Sequence, residues 1–102
     1  MVKVMYADWD KLGRYGLFDL QHGQTKVTKE FFKQNYVEVA KLKEEQICCT
    51  DANEITILNK IWEIFNTRAH EWKVRSMCVG DIVQIGRTKY MVSSFGFSTL
   101  NF

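Results

Sequence analysis

A chain of 102 residues with 14 Lys+Arg against 12 Asp+Glu, a formal net charge of +2, has room for one hydrophobic core and therefore one domain. Its 46% apolar and 14% aromatic content is ample for that core, while so small a charge excess argues against a dedicated polyanion binder. No run approaches the ~20 apolar residues of a membrane-spanning helix, and the absence of Pro with only six Gly excludes Pro-rich linkers.

The opening MVKVMYADWD places acids where a signal peptide needs an apolar run, so a cytoplasmic protein is expected. Val2, Val4 and Tyr6 alternate with Lys3, Met5 and Ala7, the pattern of a strand that buries one face and part of the other. Asp8, Asp10, Gly13 and Gly16 break it and predict a turn or one helical turn around Trp9 and Leu12; Tyr15 to Gln21 is expected to form a second strand, closed by His22-Gly23-Gln24. Thr28 with Glu30 predicts a capped short helix through about Gln34, anchored by Phe31 and Phe32. The alternation of YVEVAKL from Tyr36 predicts a central strand.

The clearest helix runs from about Ala52 to Thr67, with Thr50 and Asp51 as cap candidates and an apolar stripe of Ile55, Leu58, Trp62, Phe65 and Ala69 widened by Ile61 and Ile64. Arg68 to Ser76 connects it to the last quarter, with Trp72 and Val74 suggesting a packed, extended stretch. Asp81 to Ile85 and Lys89 to Ser93 flank a Gly86-Arg87 turn, a hairpin signal, and Phe95 to Leu100 adds a third run. The expected order is β-β-α-β-α-β-β-β. Layer logic makes this an α+β domain: a mainly antiparallel sheet with two helices on one face and a C-terminal β-meander.

Catalytic signatures are missing. Cys48, Cys49 and Cys78, with His22 and His70, lack the two-to-four-residue Cys spacing of a structural zinc site. An odd cysteine count with two adjacent is no disulfide framework and points to a reducing compartment. Cys–His pairs, and the acids Asp8 and Asp10, occur without any flanking motif that would make a nucleophile or a metal site. Gly80, Gly86 and Gly96 open no helix and cannot form a phosphate loop. The expectation is a non-enzyme without metal or cofactor. The most coherent basic and aromatic grouping is Arg68, Trp72, Lys73, Arg75, Arg87, Lys89 and Tyr90 around the terminal hairpin, the candidate binding face. Trp9, Tyr15, Phe18, Phe31, Phe32 and Phe102 exceed what one small core buries, which points to an exposed patch for a protein partner.

The terminal stretch resembles the YodL-like domain of phage and mobile-element proteins. The residues carrying the resemblance are Arg75-Ser76, Val79-Gly80-Asp81-Ile82-Val83, then Tyr90, Val92, Ser94, Gly96 and Phe97; Tyr6, Trp9 and Asp10 add to it. Cys78 stands where these proteins usually have Ser. The resemblance implies a small accessory protein in the cytoplasm of a bacterial host that binds, and inhibits, a host protein, with host defence as the context. Alternatives are a nucleic-acid-binding module and a small-nucleotide-sequestering protein. An edge strand of the meander also offers a route to a homodimer.

Overall fold

In the computed structural model, residues 1–43, 47 and 53–102 are described. The elements run β1 (Val2–Ala7), α1 (Trp9–Gln21), α2 (Lys29–Asn35), β2 (Tyr36–Leu42), α3 (Glu54–Thr67), a short 3-10 helix (Ala69–Trp72), β3 (Ile82–Ile85), β4 (Thr88–Ser93) and β5 (Gly96–Leu100). All strand neighbours are antiparallel, in the order β2-β1-β3-β4-β5. The α+β class and the C-terminal meander read from the sequence are those observed. The expected cap residues Thr50 and Asp51, with Cys48 and Cys49, lie outside the described residues.

β1 is an interior strand of the sheet, hydrogen-bonded to β2 on one side and β3 on the other, which is why all but Lys3 of VKVMYA is buried. β2 takes the edge, contrary to the central place expected of YVEVAKL. It carries exposed Val37, Glu38 and Lys41 and a bulge at Val39, between the pairs Val4↔Ala40 and Met5↔Glu38. Charge and bulges are what an edge tolerates and a buried strand does not.

Register assigns the side chains to two faces. Val2, Val4, Tyr6, Ala40, Leu42, Val83, Tyr90 and Val92 share one face with Ile57, Leu58, Ile61, Ile64 and Phe65 of α3, and together they form the main core. Each large apolar side chain buried there contributes about 1.5–3 kcal/mol relative to exposure. The buried stripe of α3 is rotated from the expected one: Ile55 is 68% exposed and Trp62 40%, whereas Ile57 is inside. The helix begins at Asn53, whose side chain accepts from the Ile55 N–H. On the opposite face Phe32 of α2 stacks on Tyr36 and meets Phe102, with the Lys89 ammonium lying over both phenyl rings. The helices thus divide between the two faces, and each covers part of a sheet that is apolar on both sides.

The expected strand over Tyr15 to Gln21 is instead the second half of α1. Asp8 caps that helix by accepting from the Asp10 and Lys11 N–H groups, and Gly13 interrupts it with φ 69°. Such a conformation admits glycine without strain, so the helix kinks there rather than stopping. Thr28 caps α2 as expected, accepting from the Phe31 N–H. The Gly86-Arg87 turn also forms as expected, with Gly86 at φ 62° in the first central position of a II′-type hairpin turn. Arg68 to Ser76 is not extended at its start: it folds into the 3-10 helix, and Trp72 packs on Phe65.

Candidate functional site

Two features stand out, a buried polar clamp at one end of the sheet and an open aromatic groove beside it. The clamp centres on Asp81, 1% exposed, just before β3. Its carboxylate accepts from the Ala7 N–H (3.0 Å), the Cys78 N–H (2.8 Å), and Nη1 and Nη2 of Arg75 (2.7 and 2.9 Å). Arg75 Nη2 also donates to the Ala7 carbonyl (3.2 Å), and its guanidinium lies 4.2 Å from the ring centres of both Tyr6 and Trp9. Tyr6 Oη donates to the Arg75 carbonyl at 2.9 Å, and Tyr36 Oη donates to the Gly80 carbonyl at 2.5 Å.

These bonds tie the end of β1 to the loop that enters β3. A planar two-pronged cation matched to a carboxylate, with aromatic rings on it, satisfies an ion pair that burial alone would penalise. Burial disfavours the Arg75 charge, but the hydrogen bonds and charge of Asp81 outweigh it, so its pKa lies above the ordinary value. The Tyr6 and Tyr36 phenols are pushed well up, first by burial and then by the Asp81 charge. Gly80 completes the loop with φ 99°; a Cβ there would lie 3.0 Å from Leu20 Cδ2. Arg75, Gly80, Asp81, Tyr6 and Trp9, which carry much of the resemblance, are all in this clamp and build the fold rather than face a ligand.

The candidate binding residues do not converge. Arg75 is consumed by the clamp. Arg68 pairs with Glu71 at 2.8 Å, and that bond holds the Glu71 carboxyl below the ordinary carboxylate range. Trp72 is partly buried against the core and Lys73 takes the left-handed conformation (φ 57°) that ends the 3-10 helix. Tyr90 is buried under α3, where its hydroxyl donates to Glu54, a bond that raises the phenol's pKa. Lys89 projects from the other face, over Phe32 and Phe102. Arg87 sits in the hairpin turn, near Met1 and at the end of the sheet away from the clamp. The four residues of β3 lie between it and Asp81, roughly 15 Å of extended chain. Asp81, six positions after Arg75, thus neutralises one member of the basic grouping.

The groove had no such sequence signal. It holds about 810 Å³ and is bordered by α1, α3, the loop before β3 and the β4–β5 turn, with Leu20, His22, Trp62, Met77, Val79 and Met91 among its lining residues. Among the described residues no Asp, Glu, Lys or Arg lines it. Phe95, at the tip of the β4–β5 turn, is fully exposed on its rim, and Phe18, 58% exposed, stacks on His22 with ring centres 4.0 Å apart. An apolar face carried by exposed aromatics is suited to desolvating against another protein. Only the excess of aromatic residues hinted at it; which of them stay outside depends on the helical turn of residues 15–21.

Among the described residues no three His, Cys, Asp or Glu side chains are grouped to hold a metal ion, and no helix is long and apolar enough to cross a membrane. Comparison with protein-family models, curated proteins and solved structures returned no match.

Proposed function

We propose that this chain is a protein-binding module that acts by occupying a partner, with the groove at Leu20, Trp62 and Phe95 as its docking surface. The observation that carries this reading is a lining with no charged side chain among the described residues, beneath a fully exposed Phe95. A side chain of that size held in water gains its full transfer free energy only when a partner covers it, and aromatic anchors in central pockets dominate protein interfaces. A phosphate backbone would find no cation among the described residues of this groove, and the candidate cations Arg75, Arg87 and Lys89 lie at different ends or faces of the sheet, which disfavours the nucleic-acid reading. The resemblance of the terminal stretch to YodL-like domains supplies the context: an accessory protein of a phage or mobile element, with a bacterial host protein as the partner and inhibition as the outcome.

The test is capture of binding proteins from bacterial lysate by the tagged chain and by a Phe95→Asp variant, washed at low and high salt with and without nuclease. A protein retained through high salt and nuclease by the wild type, and lost by Phe95→Asp, supports the groove as a docking surface. Retention that vanishes with salt or nuclease, or that is indifferent to Phe95→Asp, refutes it.

A further inference from the structure

The two edges of the sheet are built differently. β2 is guarded by Glu38, Lys41 and a bulge, the usual means of preventing a strand from pairing with another chain. β5, Gly-Phe-Ser-Thr-Leu, has no charge, no Pro and no bulge; it pairs with β4 in unbroken register from Ser93↔Gly96 to Lys89↔Leu100. Gly96, Ser98 and Thr99 are exposed.

The ladder phase fixes what this edge offers. In a hairpin closed by two residues the pair flanking the turn is hydrogen-bonded, so Gly96, Ser98 and Leu100 bond to β4 and the N–H and C=O groups of Phe97 and Thr99 point outward. Beside them, on the α3 face, lies a groove of about 360 Å³ lined by Ile55, Leu58, Phe97 and Thr99, with Ile55 68% exposed above it. Outward backbone groups and an apolar shelf beside the same strand are what an added strand requires.

We propose that the occupant is a second copy of this chain, joined β5 to β5 about a two-fold axis through Ser98. Antiparallel pairing centred there sets Phe97 opposite Thr99 of the second copy and Thr99 opposite Phe97 of the second copy. Every outward backbone group named above then finds its complement. Both pairs project to the α3 face, as a two-fold axis perpendicular to the sheet demands, and an aromatic facing a β-branched residue is a favourable cross-strand pair. The two five-stranded sheets become one continuous sheet, and the shelves under Ile55 meet across the join. No charge on β5 opposes its own copy. This pairing does not depend on the Phe95 groove as a docking surface.

The experiment is sedimentation velocity over a concentration series with wild type, Ser98→Lys, Ser98→Glu, an equimolar mixture of those two, and Thr99→Pro. The wild type is expected to reach twice the 12.0 kDa chain mass. Ser98 of the two copies would face each other about 5 Å apart, so Ser98→Lys and Ser98→Glu alone each associate about tenfold more weakly or worse, and the mixture restores the dimer. Thr99→Pro removes an outward N–H that no β4 bond uses and is expected to be monomeric with an unchanged circular dichroism spectrum. A wild type that stays monomeric at its highest soluble concentration overturns the proposal, and would leave the edge to a strand of another protein. Ser98→Lys associating as tightly as wild type overturns it as well. Phe95→Asp is expected to leave self-association intact, which separates this result from failure of the groove reading.

Discussion

Replacing Asp81 by Ala would leave the Ala7 and Cys78 N–H groups and the Arg75 guanidinium without the acceptor that all three share. Hydrogen bonds to a charged group contribute roughly 1.5–3 kcal/mol each, but they are not additive around one carboxylate. Removing one partner of a buried ion pair typically costs about 3–5 kcal/mol. With Arg75 26% exposed and so partly open to water, the lower half of that range applies, ~3–4 kcal/mol. A domain of this size has about 5–15 kcal/mol in total, so the loss is a large fraction of it and lowers Tm by roughly 12–30 °C. Urea unfolding followed by circular dichroism, on Asp81→Ala, Arg75→Met and the double variant, measures it. Because each single change leaves the other partner orphaned, the double variant is expected to cost clearly less than the sum. A loss below ~1 kcal/mol for Asp81→Ala, or strict additivity, would refute the clamp as a stabilising unit. One corollary is practical: reduced binding of any ligand by Arg75→Ala reports on unfolding, whereas Arg87→Ala, at an exposed turn, does not.

Gly80→Ala combines a φ of 99° with a Cβ placed 3.0 Å from Leu20 Cδ2, and should destabilise by about 1–3 kcal/mol in the same assay, against neutral or slightly stabilising behaviour for Gly16→Ala, whose Cβ would make ordinary contact with Leu12 inside α1. Thr28→Ala removes the acceptor for the Phe31 N–H and should cost ~1 kcal/mol, with Thr28→Asp retaining most of it. The Tyr6 and Tyr36 pKa values are raised by folding above the ordinary 10.0; the unfolded chain therefore loses those protons first. The associated stability is present in full below pH 10 and is lost as pH rises beyond it. Absorbance at the phenolate band should show Tyr6 and Tyr36 ionising only with loss of the folded circular dichroism signal; free titration of every tyrosine without unfolding would contradict the burial of these rings.

What the sequence made legible were elements whose local chemistry agrees with their environment. The Gly86-Arg87 hairpin, the Thr28 cap and the long apolar helix each carry their own signal in a few neighbouring residues. The Tyr15–Gln21 segment misleads because Gly13 and Gly16 look like breakers. Asp8 as a cap, Asp10 in the first turn and the four-residue spacing of Leu12, Gly16 and Leu20 are the helical signal that outweighs them. Strand order was hidden for a different reason: β2 alternates well enough to be central, and only its charges and bulge, compared with β1, apolar at all positions but Lys3, reveal the edge. The α3 stripe is rotated because both Ile55 and Ile57 fit an apolar periodicity and the choice between them is made by the sheet beneath. The clamp was illegible altogether, since Arg75 and Asp81 announce ordinary surface charge until the fold brings Ala7, 74 positions away from Asp81, into hydrogen-bonding distance.

The position of β1 between β2 and β3 also sets an order of events during synthesis. β1 leaves the ribosome well ahead of one of its two flanking strands, β3, and of the carboxylate that secures its end, with α1, α2, β2 and α3 emerging in between. Until Asp81 and β3 arrive, an apolar strand with one open side is left in the cell with only β2 against it. Closing so long a loop makes folding slow relative to helical domains of equal length. A nascent chain stalled before Ile82 therefore keeps one edge of β1 unpaired, the kind of exposed strand that chaperones cover in partly folded chains.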